Sequence, residues 1–215
     1  MANTVAGNPI VKVVSVGRGW ITVQDSSGEI VTRTGARNWR NNNPGNLVNA
    51  KVSQGVVGRD VYGDPVFDTY EHGVEAQRHL LFDPGSSRQN YASKTLHDAM
   101  YMYTPPVVEA ATGQLGRPDK YIQTIIAGVP GITEKTVLST MTPTQQQQML
   151  DVIHKVEGYK AGKITHATNA PAVDPAVQPT PHLTPPPAPH VIEPDDGDYK
   201  YYRTPGGTGG PGVPQ

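Results

Sequence analysis

Twelve of the 21 prolines fall within the last fifty of the 215 residues, from His166 to Gln215. The same stretch carries six glycines, five acids (Asp174, Glu193, Asp195, Asp196, Asp198) and two bases (Lys200, Arg203). A segment of this kind cannot bury enough apolar surface to offset the entropy lost on ordering it. Residues 166–215 are therefore expected to be a disordered Pro/Gly-rich tail, with polyproline character at Pro185-Pro186-Pro187. What folds must fold from the first 165 residues, which is enough chain for one hydrophobic core.

Composition narrows the chemistry. The chain has no Cys, which removes disulfide scaffolds, thiol catalysis, zinc fingers and iron–sulfur clusters together. Its 18 Lys+Arg and 19 Asp+Glu leave a formal charge of −1, without the positive excess of a nucleic-acid binder. No apolar run of about 18 residues is present to span a membrane. Met1 to Pro9 has neither a basic n-region nor an apolar h-region, so no secretory signal peptide is expected there.

The first 36 residues read as a three-stranded meander. Ile10 to Val16, Trp20 to Gln24 and Glu29 to Arg33 are rich in β-branched residues, with turns at Gly17-Arg18-Gly19 and Asp25-Ser26-Ser27-Gly28. Residues 37–68 look irregular, with short strands around Leu47-Val48 and Val66-Phe67. From Tyr70 the pattern turns helical. Helices are expected over Glu71 to Phe82, Leu96 to Tyr103 and Pro118 to Gly128, with a short one capped by Thr133 through Val137-Leu138. The last is the clearest: Thr142 and Gln145 make a capping box, Met149, Leu150, Ile153 and Val156 follow at helical spacing, and Gly158 stops it. The order of elements predicts an α+β fold.

Three stretches could carry chemistry. Glu157 lies four residues after Ile153 and seven after Leu150, so it continues an apolar stripe at the negative end of a helix. Partial burial and the dipole both raise a carboxyl pKa, as a general acid acting on a glycosidic oxygen requires. The alternative is a solvated last-turn residue. The string Asn41-Asn42-Asn43-Pro44-Gly45-Asn46 suits hydrogen bonds to sugar amides and hydroxyls, or a tight turn in which the Asn side chains bond their own backbone. Asp60, Asp64, Asp68, Glu71 and Glu75 are all candidate second carboxylates, with Asp60 and Asp64 in a Gly-rich loop. The seven His show no metal spacing, and no phosphate or dinucleotide motif is present.

Arg37 to Leu47, followed by Phe67, Tyr70, Gly73, Ala76 and Leu80-Leu81, resembles a family of phage virion proteins and type VI secretion effectors with a lysozyme-like domain. Val156-Glu157-Gly158 resembles the Glu-Gly at which the last helix of that family closes. The likeness spans about residues 33–160. A fainter one reaches the glucosaminidases of glycoside hydrolase family 73, in which the Glu helix precedes the Asn loop. Here that helix comes last, as in a circular permutant.

The resemblance implies a lysozyme-like helical domain at 37–165, preceded by a meander extension at 1–36. It implies a peptidoglycan glycosidase, a muramidase or N-acetylglucosaminidase, with Glu157 as general acid. Asp60 or Asp64 would be the second carboxylate, Asn42, Asn43 and Asn46 would line the sugar subsites, and Tyr70 and Tyr159 would form walls. A carboxyl pair about 5 Å apart predicts retention and one about 6.5–9.5 Å apart predicts inversion, whereas a lytic transglycosylase needs only the Glu. No cofactor or metal is implied. An immunity protein or a phage-tail or secretion-spike protein is the implied protein partner. The implied setting is synthesis in the cytoplasm and action in the periplasm or cell wall of a target bacterium. The alternative is a non-catalytic structural or cell-wall-binding module of a phage tail or secretion spike.

Overall fold

The computed structural model describes residues 8–48, 54–107 and 115–166. The segment 167–215, most of the expected tail, lies outside them.

Strands β1 (Ile10–Gly17), β2 (Trp20–Asp25) and β3 (Ile30–Thr34) form an antiparallel meander. Gly19 and Gly28 take the positive φ its two turns need, at 82° and 90°. Asp25 clamps the second turn, its Oδ1 accepting from the Ser27 and Glu29 amides at 2.9 Å each. The sheet does not end at three strands. β6 (Lys163–His166) returns from the far end of the chain and pairs antiparallel with β3, Lys163 opposite Thr34 and His166 opposite Val31. The sheet order is β1-β2-β3-β6, and the expected start of the tail at His166 is corrected to beyond that strand. A bare β3 edge would leave its amides and carbonyls unpaired, and β6 satisfies them.

A single helical turn, α1 (Arg37–Arg40), follows β3. Leu47-Val48 is not a strand. The second sheet is a hairpin of β4 (Val56–Arg59) and β5 (Pro65–Phe67). Val66 of that hairpin is buried with Ile10, Ile21 and Val23, so one small core joins hairpin and meander.

The larger core lies among the helices. They are α2 (Tyr70–Phe82), α3 (Leu96–Tyr103), α4 (Pro118–Gly128) and α5 (Pro143–Val156). Thr69 and Thr95 cap α2 and α3, and Thr142 and Gln145 form the expected capping box on α5. Leu81, Leu96, Met100, Ile125, Met149 and Leu150 are fully enclosed between them. The short helix expected from Thr133 is instead a turn at Thr133–Thr136 followed by a 3-10 turn at Leu138–Thr140. The Thr133 amide donates to Thr136 Oγ1 at 2.9 Å and its carbonyl accepts from the Thr136 amide at 3.0 Å, which closes a turn in place of a helix. The fold is α+β. Among the described residues, no helix is long and apolar enough to cross a membrane.

Candidate active site

The Asn string folds as a sequence of turns whose side chains point inward. Asn42 and Asn46 both take left-handed backbone, at φ 50° and 48°, a conformation Asn tolerates better than most residues. Asn42 Nδ2 donates to the carbonyls of Phe67 and Asp68 at 3.1 and 3.2 Å, and its Oδ1 accepts from Arg33 at 2.9 Å. Asn43 closes on Leu47 with two bonds of 2.8 Å, one to its carbonyl and one from its amide. Both side chains are buried. Asn42 and Asn43 therefore serve the turn in this geometry and have little capacity left for a sugar. Asn41 is enclosed as well and donates to Asp60 at 2.9 Å.

Helix α2 presses on this loop through glycine. A Cβ at Gly73 would lie 2.0 Å from the Asn42 carbonyl oxygen, and one at Gly45 would lie 2.5 Å from Gln77 Cδ. Neither contact leaves room for a side chain.

Glu157 caps the C-terminal end of α5, its amide bonded to the Ile153 carbonyl at 2.8 Å. The stripe through Leu150 and Ile153 thus delivers it to a half-buried position. Its Oε2 accepts from Asn46 Nδ2 at 2.7 Å and its Oε1 from the Tyr121 hydroxyl at 2.7 Å. Its backbone carbonyl accepts from Asn38 Nδ2 at 3.1 Å. Three distant segments, the Asn loop, α4 and α5, therefore converge on one carboxylate. Both side-chain donors are neutral. Asn46 Oδ1, on the far side of the same amide, is buried with no hydrogen-bond partner.

Beside this carboxylate the chain turns through Gly158, at φ 69°, to Tyr159. Tyr159 meets Tyr70 edge-on at 5.2 Å between ring centroids. Burial and then Tyr70 push the Tyr159 phenol up to about 12, with the Arg33 guanidinium working against them. Burial also raises the Tyr70 phenol, followed by Asp151 and Glu71. Arg33 is enclosed, stacks 4.5 Å from the Trp39 ring centre and donates to neutral acceptors at Asn42 and the Trp39 carbonyl. Burial draws it down to about 10, so it remains a cation at neutral pH.

The two loop carboxylates are committed elsewhere. Asp60 Oδ1 accepts from the amides of Tyr62 and Asp64 at 2.9 and 3.1 Å. Its Oδ2 receives Asn41 and pairs with Arg40 at 3.5 Å. Asp64 pairs with Arg37 at 2.9 Å. Both side chains are buried, so these two candidate second carboxylates are fixed parts of the hairpin. Asp68 pairs with His72 at 2.6 Å. Among the described residues, no three His, Asp or Glu side chains gather as a metal site would need.

Of the residues singled out in the sequence, Glu157 and Asn46 meet directly, and Tyr70 and Tyr159 pack together one turn away. Asn42, Asn43, Asp60 and Asp64 bond to other parts of the chain. Tyr121 and Asn38 are the contacts that sequence reasoning missed. Tyr121 reads as an ordinary member of the α4 apolar face, and only its polar tip hints at a buried partner. No family model matches the chain, and no curated protein matches it either.

Proposed function

We propose that the chain is a peptidoglycan glycan-strand hydrolase in which Glu157 is the general acid. The observation that carries this reading is the carboxylate itself. It is half-buried at a helix C-terminus and accepts on its two oxygens from Asn46 and Tyr121, and the chain beyond it turns through Gly158 into the Tyr70–Tyr159 ring pair. Asn46 and Tyr121, one donor on each oxygen, hold the carboxylate in one orientation.

Because Asp60 and Asp64 pair with Arg40 and Arg37, this reading uses one carboxylic acid. Glu157 protonates the glycosidic oxygen as the bond to the sugar's anomeric carbon breaks, and water or a hydroxyl of the same sugar attacks that carbon and gives up its proton to the Glu157 carboxylate or to solvent. Mass spectrometry of sugars released from purified peptidoglycan tests this directly. Hydrolysis gives a reducing sugar, and intramolecular attack gives an anhydro sugar lighter by one water. Release of neither would abandon the enzyme reading. Delivery by a phage particle or a type VI secretion system belongs to the same proposal and rests on the resemblance alone.

One observation favours the second reading, a non-catalytic cell-wall-binding or structural module. Most of the polar loop residues serve the scaffold, and the meander leaves Val11, Val14, Trp20 and Ile30 exposed, apolar side chains that a bound partner would cover.

A further inference from the structure

A buried hydrogen-bond circuit runs behind Glu157 and returns to it. Its hub is Tyr103 at the end of α3, fully enclosed in the helical core. The Tyr103 hydroxyl lies 2.6 Å from the Gly45 carbonyl. A carbonyl only accepts, so the single hydroxyl proton goes to Gly45. Gln77 Nε2, 2.9 Å from the same hydroxyl, must then donate to it. That turns Gln77 Oε1 toward His154 Nε2 at 2.7 Å, and an amide oxygen only accepts, so Nε2 carries the hydrogen. In the neutral ring Nδ1 is bare and takes the Tyr70 hydroxyl proton at 3.1 Å. Every link points one way: Tyr70 to His154, to Gln77, to Tyr103, to the Gly45 carbonyl.

Both ends of this chain belong to the acid. Gly45 precedes Asn46, the donor to Glu157 Oε2. His154 lies three residues before Glu157 on α5, and Tyr70 packs against Tyr159, two residues after it. The Tyr103 ring also meets Tyr121 at 6.4 Å, edge to face, and Tyr121 is the donor to Oε1. Tyr103 thus reaches both grips on the carboxylate, one through its hydroxyl and the other through its ring.

We propose that Tyr103 is a positioning residue that sets the orientation of the Glu157 carboxylate through Gly45–Asn46 and through Tyr121. Its effect on turnover rests on the reading of Glu157 as the acid, but its effect on geometry does not. The two routes separate by substitution. Tyr103→Phe keeps the ring against Tyr121 and removes the Gly45 anchor, whereas Tyr103→Leu removes both.

The test uses the full chain. The side-chain amide signals of Asn46, assigned by their loss in Asn46→Ala, are followed by NMR in wild type and in Tyr103→Phe. The expected result is a shifted or broadened Asn46 amide in a folded Tyr103→Phe. On glycan strands, kcat should fall by ~10-fold with KM little changed, and by more in Tyr103→Leu. An unmoved Asn46 amide in folded Tyr103→Phe, with kcat intact per folded molecule, overturns the proposal and leaves Tyr103 as core packing alone. If wild type cleaves no glycan, the amide shift still decides the geometry, so the two readings fail separately. Should Tyr103→Phe not fold, the His154 ring nitrogens of wild type decide instead. The circuit requires the Nε2–H tautomer, and a ring protonated only on Nδ1 breaks it.

Discussion

Gly73→Ala sets two physical effects against each other, and the structure says which wins. At Gly73, the fourth residue of α2, alanine is the better helix former by up to ~1 kcal/mol. Against that, a Cβ at Gly73 would sit 2.0 Å from the Asn42 carbonyl oxygen and 2.9 Å from Pro44 Cδ. A comfortable C···O contact is about 3.3 Å, so helix and turn must separate by about 1.3 Å. Both partners are backbone or ring atoms with no rotamer to escape into. Overpacking of this kind costs ~1–3 kcal/mol. The separation also pulls on the Asn42 side chain, which bonds Phe67, Asp68 and Arg33. Each such bond contributes ~0.5–1.5 kcal/mol, or more where a charge takes part. The clash and the weakened bonds together outweigh the propensity gain, for a net loss of ~2–4 kcal/mol. In a domain of this size that lowers Tm by about 5–15 °C. Urea unfolding followed by circular dichroism and by fluorescence of the buried Trp39 measures it. A Gly73→Ala variant as stable as wild type would refute the close approach of α2 to the Asn loop, and with it the account of why that loop is rigid.

The remaining predictions concern the loop and the chain end. Asn43→Ala strands the amide and carbonyl of Leu47, so it should lose ~2–4 kcal/mol of stability while glycan turnover per folded molecule persists. Lost turnover at an unchanged Tm would return Asn43 to the substrate surface. Removal of residues 167–215 should leave Tm unchanged, whereas removal from Lys163 onward should lower it by uncovering the β3 edge. Equal melting of the two truncations with wild type would show that β6 adds nothing to the sheet.

The elements legible in the sequence are those whose reasons are local. Thr142, Pro143 and Gln145 start α5, and the stripe through Leu150 and Ile153 carries Glu157 to the position the pattern implied. The meander was readable for the same reason, since alternation and turn residues lie within a few positions of each other. Strand β6 was not. Lys163-Ile164-Thr165-His166 is four residues beside a Pro-rich stretch, and it becomes a strand only because β3 offers an edge. The Asn string was ambiguous because an Asn amide binds a backbone carbonyl as readily as a sugar. What decides for the backbone is Gly73, some thirty residues on, which lets α2 seal the turn. Asp60 and Asp64 read as open candidates for a second carboxylate because their partners, Arg40 and Arg37, lie on a helical turn twenty residues and more upstream. Tyr121 reaches Glu157 across 36 positions, a contact no local pattern announces.

The central claim is that the Glu157 carboxyl group donates the proton that breaks a glycosidic bond. The most direct measurement is the initial rate of reducing-end or anhydro-sugar formation from purified peptidoglycan by wild type and by Glu157→Gln, each first shown folded by its thermal transition. Glutamine keeps the shape of the side chain and can still bond Asn46 and Tyr121, but it has no proton of carboxylic acidity to give. The account predicts a wild-type rate above background and a loss of ~100- to 10,000-fold in a folded Glu157→Gln. A folded Glu157→Gln that cleaves at the wild-type rate would contradict it.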